Sequence, residues 1–195
     1  MGAIMSKKEL KRIIDSDLFR YFGDTSKKVF RRTYRFIPGF RFAYWMRKCG
    51  YYSNKPKAFR PCFYWALFRY NRLKYKFGFD IEYSTRIGEG FYLGHWGGVV
   101  IHKNAVIGKN CNISHQVTVG VDSKRSSEAA PVIGDSVYLA PGSKIFGSVT
   151  LGDGCAVGAN SVVNKDVPAG VTVAGVPACV VSENGSAGYI NNTVD

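Results

Sequence analysis

The aliphatic positions in the C-terminal part of the chain repeat every six residues. Ile133, Leu139, Ile145, Leu151, Val157 and Val163 follow at that interval without a break, and four residues after each stands a small or β-branched side chain: Val137, Ser143, Val149, Cys155, Ser161 and Val167. The same interval links Ile101, Ile107, Ile113 and Val119, and again Ile81, Ile87 and Leu93. A period of six would wind around a helix of 3.6 residues per turn, so no apolar stripe results. Antiparallel strands would alternate every two residues over longer runs between turn clusters. Six-residue periodicity is instead the signature of a parallel β-helix, in which each repeat supplies one short strand and one corner. The aliphatic residue points inward and the small one sits where the chain bends. Three repeats close one coil, and the pattern predicts roughly five coils stacked at the strand spacing of ~4.8 Å.

Two irregularities break the rhythm. Two extra residues fall between Leu93 and Ile101, within Gly94-His95-Trp96-Gly97-Gly98. A mostly polar stretch separates Val119 from Ile133 and reads as a loop pushed out of a corner. Loops leaving a rigid scaffold are where function concentrates.

Residues 1–78 follow a different pattern. Leu10, Ile13, Ile14 and Leu18 are spaced for a short helix within Met5–Phe22. Phe30–Cys49 and Phe59–Phe77 read as two more, separated by Ser53-Asn54-Lys55-Pro56. The predicted fold class is therefore mostly β: a parallel β-helix over residues 79–181, a small helical subdomain before it, and a polar tail over 182–195 that is expected to be mobile.

Charge divides the chain the same way. Residues 1–80 carry 20 Lys/Arg against 5 Asp/Glu and 21 of the 28 aromatic side chains, whereas residues 81–195 carry 7 against 9. An anionic partner should meet the first segment. One reading has its aromatic faces packing on each other and on the β-helix. Another adds peripheral contact with an anionic membrane surface. No nucleic-acid recognition motif accompanies the charge, so no nucleic-acid partner is expected. The cysteines Cys49, Cys62, Cys111, Cys155 and Cys179 are odd in number with no C-x-x-C pair, which reads as reduced thiols in a cytoplasmic protein. No apolar run reaches the ~18 residues of a membrane span and no secretory leader is visible. The expected location is cytoplasmic, peripheral to the inner membrane if the basic segment binds lipid. Met1-Gly2 through Ser6 fits a myristoylation pattern, read here as a chance match.

The segments Phe79-Asp80-Ile81-Glu82, Ile87-Gly88, Leu93-Gly94-His95, Val99-Val100-Ile101, Ala105-Val106-Ile107-Gly108 and Val117-Thr118-Val119-Gly120, with the closing Ala174-Gly175-Val176-Pro177-Ala178, resemble the serine acetyltransferases. They resemble equally the related O-acetyltransferases of bacterial exopolysaccharide assembly. The resemblance implies a left-handed β-helix, a homotrimer, and acetyl-CoA lying between neighbouring subunits as the acyl donor, with no metal. It also implies His95 as general base and Asp80 as the carboxylate that orients it.

The chemistry asks for such residues. An alcohol attacking a thioester must lose its proton, and an imidazole with an ordinary pKa of about 6.5 can take it at neutral pH. A carboxylate on the second ring nitrogen fixes the tautomer. Backbone N–H groups at an irregular corner, such as Gly97 and Gly98, can receive the oxyanion. Counting repeats places His115 one coil beyond His95 in the same slot, as a candidate for acceptor binding or a stacked wall residue. Trp96 offers a flat apolar face to a sugar ring, or equally to a subunit contact. His102 follows an inward isoleucine and should be merely exposed. Ala140, Gly142, Gly158, Ala159, Ala174 and Gly175 are small enough for a pantetheine arm to lie against the backbone. Lys144 and Lys165 are candidates for its phosphates. Relatives often carry a basic residue after the Pro-Ala, where this chain has Cys179.

Departures from the serine acetyltransferases bear on the acceptor. Their base is preceded by an Asp that reads the amino group, where this chain has Gly94. They carry an Arg-His pair in the loop, where this chain has Ala129 and Ala130. A zwitterion missing both charge partners would bind poorly. The expected acceptor is therefore a sugar hydroxyl of a surface polysaccharide precursor, with serine as the alternative. Two more distant readings are a metal-dependent lyase built on histidines at a subunit interface and a non-catalytic membrane scaffold.

Overall fold

The computed structural model describes residues 4–124 and 128–195. The myristoylation-like start and the middle of the polar loop lie partly outside the described residues. Helix α1 (Lys7–Phe22) begins where the Ser6 side chain accepts from the Glu9 N–H, and ends on Gly23 at φ 65°. Helix α2 (Lys27–Phe36) starts the same way, with Ser26 accepting from Val29. The single helix expected over Phe30–Cys49 is in fact two. Pro38 forces Ile37 out of helical geometry to φ −107°, ψ 104°, and α3 (Pro38–Ser53) starts afresh with proline in its first turn. A 3₁₀ turn (Lys57–Phe59) then leads into α4 (Arg60–Phe77), which stops at Gly78.

Each coil of the β-helix contributes a strand to three parallel faces. The first coil is β1 (Phe79–Ile81), β2 (Arg86–Ile87) and β3 (Tyr92–Leu93). The second is β4 (Val99–Ile101), β5 (Val106–Ile107) and β6 (Asn112–Ile113), and the third is β7 (Thr118–Gly120), β8 (Val132–Ile133) and β9 (Tyr138–Leu139). The fourth is β10 (Lys144–Phe146), β11 (Thr150–Leu151) and β12 (Ala156–Val157). The last runs through β13 (Val162–Val163) and a bridge at Val167 to β14 (Thr172–Gly175). The register is in step throughout: Ile81 pairs with Ile101, Leu93 with Ile113, and Ile107 with Ile133. Ile81, Leu93, Val119, Leu139, Ile145, Leu151 and Val157 are wholly buried, as are the corner residues Ala105, Cys111, Val137, Ser143, Cys155 and Ser161. That is the inward set the six-residue period names. Strand β15 (Ala178–Ser182) turns back antiparallel on β14 and closes the far end.

The helices cover the near end. Phe42 and Phe79 touch at 4.8 Å between centroids, joining the α3 core to the first coil. A Cβ on Gly39 would lie 2.2 Å from the Leu93 carbonyl oxygen, so α3 rests directly on β3. Arg47 of α3 is buried. It donates to both carboxylate oxygens of Asp17 at 3.0 and 3.2 Å, and to the carbonyls of Ile87 and Gly88 at 2.7 and 2.6 Å. Asp17 also accepts from the Phe91 N–H at 2.8 Å. Burial pushes the Asp17 carboxyl above the ordinary range, and the Arg47 guanidinium opposes that rise.

The tail is not the free segment its polarity suggested. Asn110 exchanges two hydrogen bonds with the Val194 backbone, at 2.8 and 3.0 Å. The Asn112 amide donates to the Tyr189 carbonyl, Arg20 donates to that of Asn191, and Tyr189 stacks on Tyr138 with centroids 4.4 Å apart. Polar side chains of the coils and of α1, together with the Tyr189–Tyr138 stack, hold it in place.

Candidate functional site

One edge of the prism gathers most of the chemistry expected from the sequence. It is the corner where each strand of the six-stranded face (β3, β6, β9, β12, β14) gives way to the five-stranded face (β4, β7, β10, β13). His95 and Trp96 lie on it in the first coil and His115 in the second. Ala140 and Gly142 follow in the third, Gly158 and Ala159 in the fourth, and Ala174 and Gly175 in the last. The parallel register stacks these corners. Gln116 N–H donates to the Gly97 carbonyl at 2.8 Å, Gly142 N–H to that of His115 at 3.0 Å, and Asn160 N–H to that of Pro141 at 2.9 Å. Every coil turns through positive φ here: at Gly97 and Gly98 in the first, then at Gln116, Gly142, Asn160 and Gly175. At Gly142 the glycine is required twice, because a Cβ would also fall 2.0 Å from Asn160 Oδ1.

His95 is exposed on this edge, and its ring meets that of His115 edge-on, with centroids 5.7 Å apart. The pairing of Leu93 with Ile113 produces that contact, as the repeat count predicts. His115 is half-buried, and its Nδ1 has no hydrogen-bond partner among the described residues. Trp96 is exposed, with one side of its indole 6.4 Å from the Phe77 ring.

Three expectations need adjustment. The Asp80 carboxylate is engaged by Lys74 of α4 at 2.7 Å, and among the described residues no hydrogen bond joins it to His95. The exposed middle position of a three-residue strand turns the Asp80 side chain outward, where Lys74 in the last turn of α4 reaches it. The Gly97 N–H, considered as an oxyanion donor, is already given to the Phe77 carbonyl at 2.9 Å. Lys165 belongs to a different corner. With Asn164, Asp122, Ala129, Phe146, Gly147, Ser148 and Val149 it lines a cavity of about 340 Å³ beside the root of the polar loop. Lys144 does flank the histidine edge, where its ammonium group donates to the Gln116 carbonyl. His102 is half-buried away from that edge, its Nδ1 accepting from the Asn104 N–H at 3.3 Å. Among the described residues no group of three or more His, Cys, Asp or Glu side chains is placed to hold a metal ion.

Sequence reasoning missed how closely α4 attends this site. The Phe77 and Gly78 carbonyls accept from Gly97 and Val99, so the C-terminal end of that helix anchors the irregular segment carrying His95. The only signal available was the short distance from a predicted helix end to Asp80.

The chain is similar to known proteins in sequence and in fold. A model of the bacterial transferase hexapeptide (six repeats) matches residues 130–165. The serine acetyltransferase of Salmonella typhimurium is 39% identical over 121 residues, which cover 62% of this chain and 44% of the relative. The chain thus spans about half the length of the curated relatives it matches. Serine acetyltransferase from Brucella abortus superposes with a TM-score of 0.77 at 30% identity, over 93% of this chain and 72% of that one, and has also been solved with coenzyme A. The soybean serine acetyltransferase, complexed with serine, gives a TM-score of 0.71 at 33% identity over 88% of this chain and 69% of its own. With the coil register, the capping helices and these similarities in agreement, the chain belongs to the serine acetyltransferase family of hexapeptide-repeat β-helix transferases.

Proposed function

We propose that this chain transfers an acetyl group from acetyl-CoA to a hydroxyl oxygen, with His95 as general base and serine as the first acceptor to consider. The observation carrying the proposal is the exposed His95 ring meeting His115 edge-on at a corner that continues through small residues in the later coils. The imidazole of His95 takes the proton as the hydroxyl oxygen attacks the thioester carbon. The tetrahedral intermediate then collapses, the C–S bond breaks, and the proton passes to the departing thiolate of CoA. The Nδ1 of His115 is buried and unpartnered, so it would reach the acceptor only after the ring turns toward the edge. Asp80 would serve His95 only after exchanging Lys74 for the imidazole.

Acetyl-CoA is supported as donor by the coenzyme A complex of the Brucella relative. Its pantetheine arm would lie along Ala140, Gly142, Gly158, Ala159, Ala174 and Gly175. In a homotrimer, the histidine edge of one subunit would face another edge of its neighbour, which would bring Lys165 to the donor. Lys144 would first have to release the Gln116 carbonyl.

The acceptor preferred on sequence grounds was a sugar hydroxyl. The relatives are named for serine, and one is complexed with it, which favours the alternative. One observation keeps the sugar as a second reading: Gly94 precedes the base, and alanines stand at 129 and 130, where a zwitterion would need charged partners. The deciding experiment supplies purified protein and acetyl-CoA with either serine or a panel of nucleotide sugars and oligosaccharides. CoA release is followed, and products are identified by the mass of an added acetyl group. O-acetylserine supports the first reading, and an acetylated sugar alone supports the second. No turnover with any hydroxyl acceptor overturns both, as does unchanged turnover by His95→Ala.

A further inference from the structure

The outward face of α4 has no counterpart in the catalytic reading. The helix buries Ala66, Tyr70 and Leu73 against α3 and the first coil. At 100° per residue, the opposite side presents Tyr64, Trp65, Phe68, Arg72, Tyr75 and Lys76 within one sector. The aromatic members are strongly exposed: Tyr64 at 61%, Trp65 at 56%, Phe68 at 54% and Tyr75 at 81%. Trp65 and Phe68 already stack on each other at 5.8 Å between centroids, and the Arg69 guanidinium lies 5.8 Å from the Trp65 ring. Arg69 also donates to the Tyr34 hydroxyl at 3.3 Å, which ties the stripe to α2, whose exposed side carries Lys27, Lys28, Arg31, Arg32 and Arg35.

Charge identifies the occupant of this face. Between Asp24 and Asp80 the chain holds 15 Lys/Arg and no Asp or Glu. A copy-to-copy contact through this face would bring like charges together and bury them unpaired, which opposes self-association. A surface of fixed negative charge with an apolar layer beneath satisfies both features at once. Trp and Tyr settle at the boundary, Phe inserts below it, and Arg and Lys meet phosphates. No helix among the described residues is long and apolar enough to cross a bilayer, so the contact would be one of lying on the surface. We propose that the Tyr64–Trp65–Phe68–Arg72–Tyr75 face of α4 docks this protein onto an anionic lipid bilayer. Because the same helix ends at the His95 segment, docking holds the histidine edge close to the membrane plane.

The test uses the full chain and large unilamellar vesicles, of phosphatidylcholine alone or of phosphatidylcholine and phosphatidylglycerol in equal parts. Co-sedimentation and the tryptophan emission maximum are read together. The protein should pellet with the mixed vesicles only, show a blue shift, and release as salt is raised, since screening weakens the charge attraction. Trp65→Ser/Phe68→Ser should weaken partitioning by roughly tenfold or more, the loss expected from two exposed aromatic anchors. Arg72→Glu/Lys76→Glu should weaken it by roughly 25-fold or more, given that each cation contributes about a fivefold gain near an anionic surface and the added carboxylates repel it. All these side chains point outward, and circular dichroism should show unchanged folding. Absence of binding to the mixed vesicles, or equal binding by both variants, overturns the proposal. So does a fall in oligomeric state of Trp65→Ser/Phe68→Ser by light scattering, which would assign the face to a second copy.

Discussion

Replacing Arg47 with methionine tests the joint between helices and β-helix most sharply. The guanidinium makes four hydrogen bonds, two to Asp17 and two to the carbonyls of Ile87 and Gly88. Methionine preserves most of the apolar stem and deletes the fork. Asp17 is left buried with only the Phe91 N–H as a partner, and removal of one member of a buried ion pair typically costs about 3–5 kcal/mol. For a chain of this size that corresponds to a fall of roughly 6–20 °C in melting temperature. The pH dependence supplies a second check. Burial raises the Asp17 carboxyl and Arg47 lowers it, so the variant's folded state holds this proton to higher pH than the wild type's. A folded state that binds the extra proton gains stability as pH falls through the folded value and loses it as pH rises. The gap between variant and wild type should therefore be widest near neutral pH and narrow towards acid. Melts followed by circular dichroism from about pH 8 to about pH 5 would record both effects. Asp17→Asn/Arg47→Met should recover part of the loss, because the stranded charge is gone. A variant melting within about 2 °C of wild type, or a gap that ignores pH, would refute the reasoning.

Other consequences are simpler to check. His95→Ala should lower kcat/KM for acetyl transfer by roughly 10²–10⁴ while coenzyme A binding, measured by calorimetry, is retained. Gly39→Ala puts a methyl group against the Leu93 carbonyl and should destabilise the fold by about 1–3 kcal/mol in thermal melts, a larger effect than alanine at an exposed helical site produces. Burial pushes the thiols of Cys49, Cys111 and Cys155 up to about 12, whereas Cys62 and Cys179 are exposed. A disulfide reagent should thus titrate those two cysteines in the native protein, and all five only after denaturation, as counted by mass spectrometry.

The six-residue period made the prism legible because it is a repeated local rule. Each coil asks the same thing of its inward residue, so Ile81 and Val157 announce themselves alike despite lying at opposite ends. The stacking of His115 on His95 followed from the same counting, since parallel register carries a slot in one coil directly onto the next. What stayed hidden depends on single contacts with no period behind them. Pro38 divided one expected helix because it constrains only its predecessor, Ile37. The tail docks through Asn110, Asn112 and Arg20, whose partners lie about 77–171 residues away in sequence. The Asp80–Lys74 pair is the most instructive case. A spacing of fifteen residues identified Asp80 and His95 as partners through resemblance, but spacing carries no information about a third group. Lys74 reaches Asp80 because α4 ends at Gly78, one residue before β1, which places its last turn beside the strand's exposed position. With the Asp80 side chain largely in solvent, the pair is held by about 1 kcal/mol, and on the proposed mechanism an imidazole that gains positive charge during proton transfer competes for the carboxylate. In that mechanism the Asp80 carboxylate has to leave Lys74 for the imidazole as that charge develops.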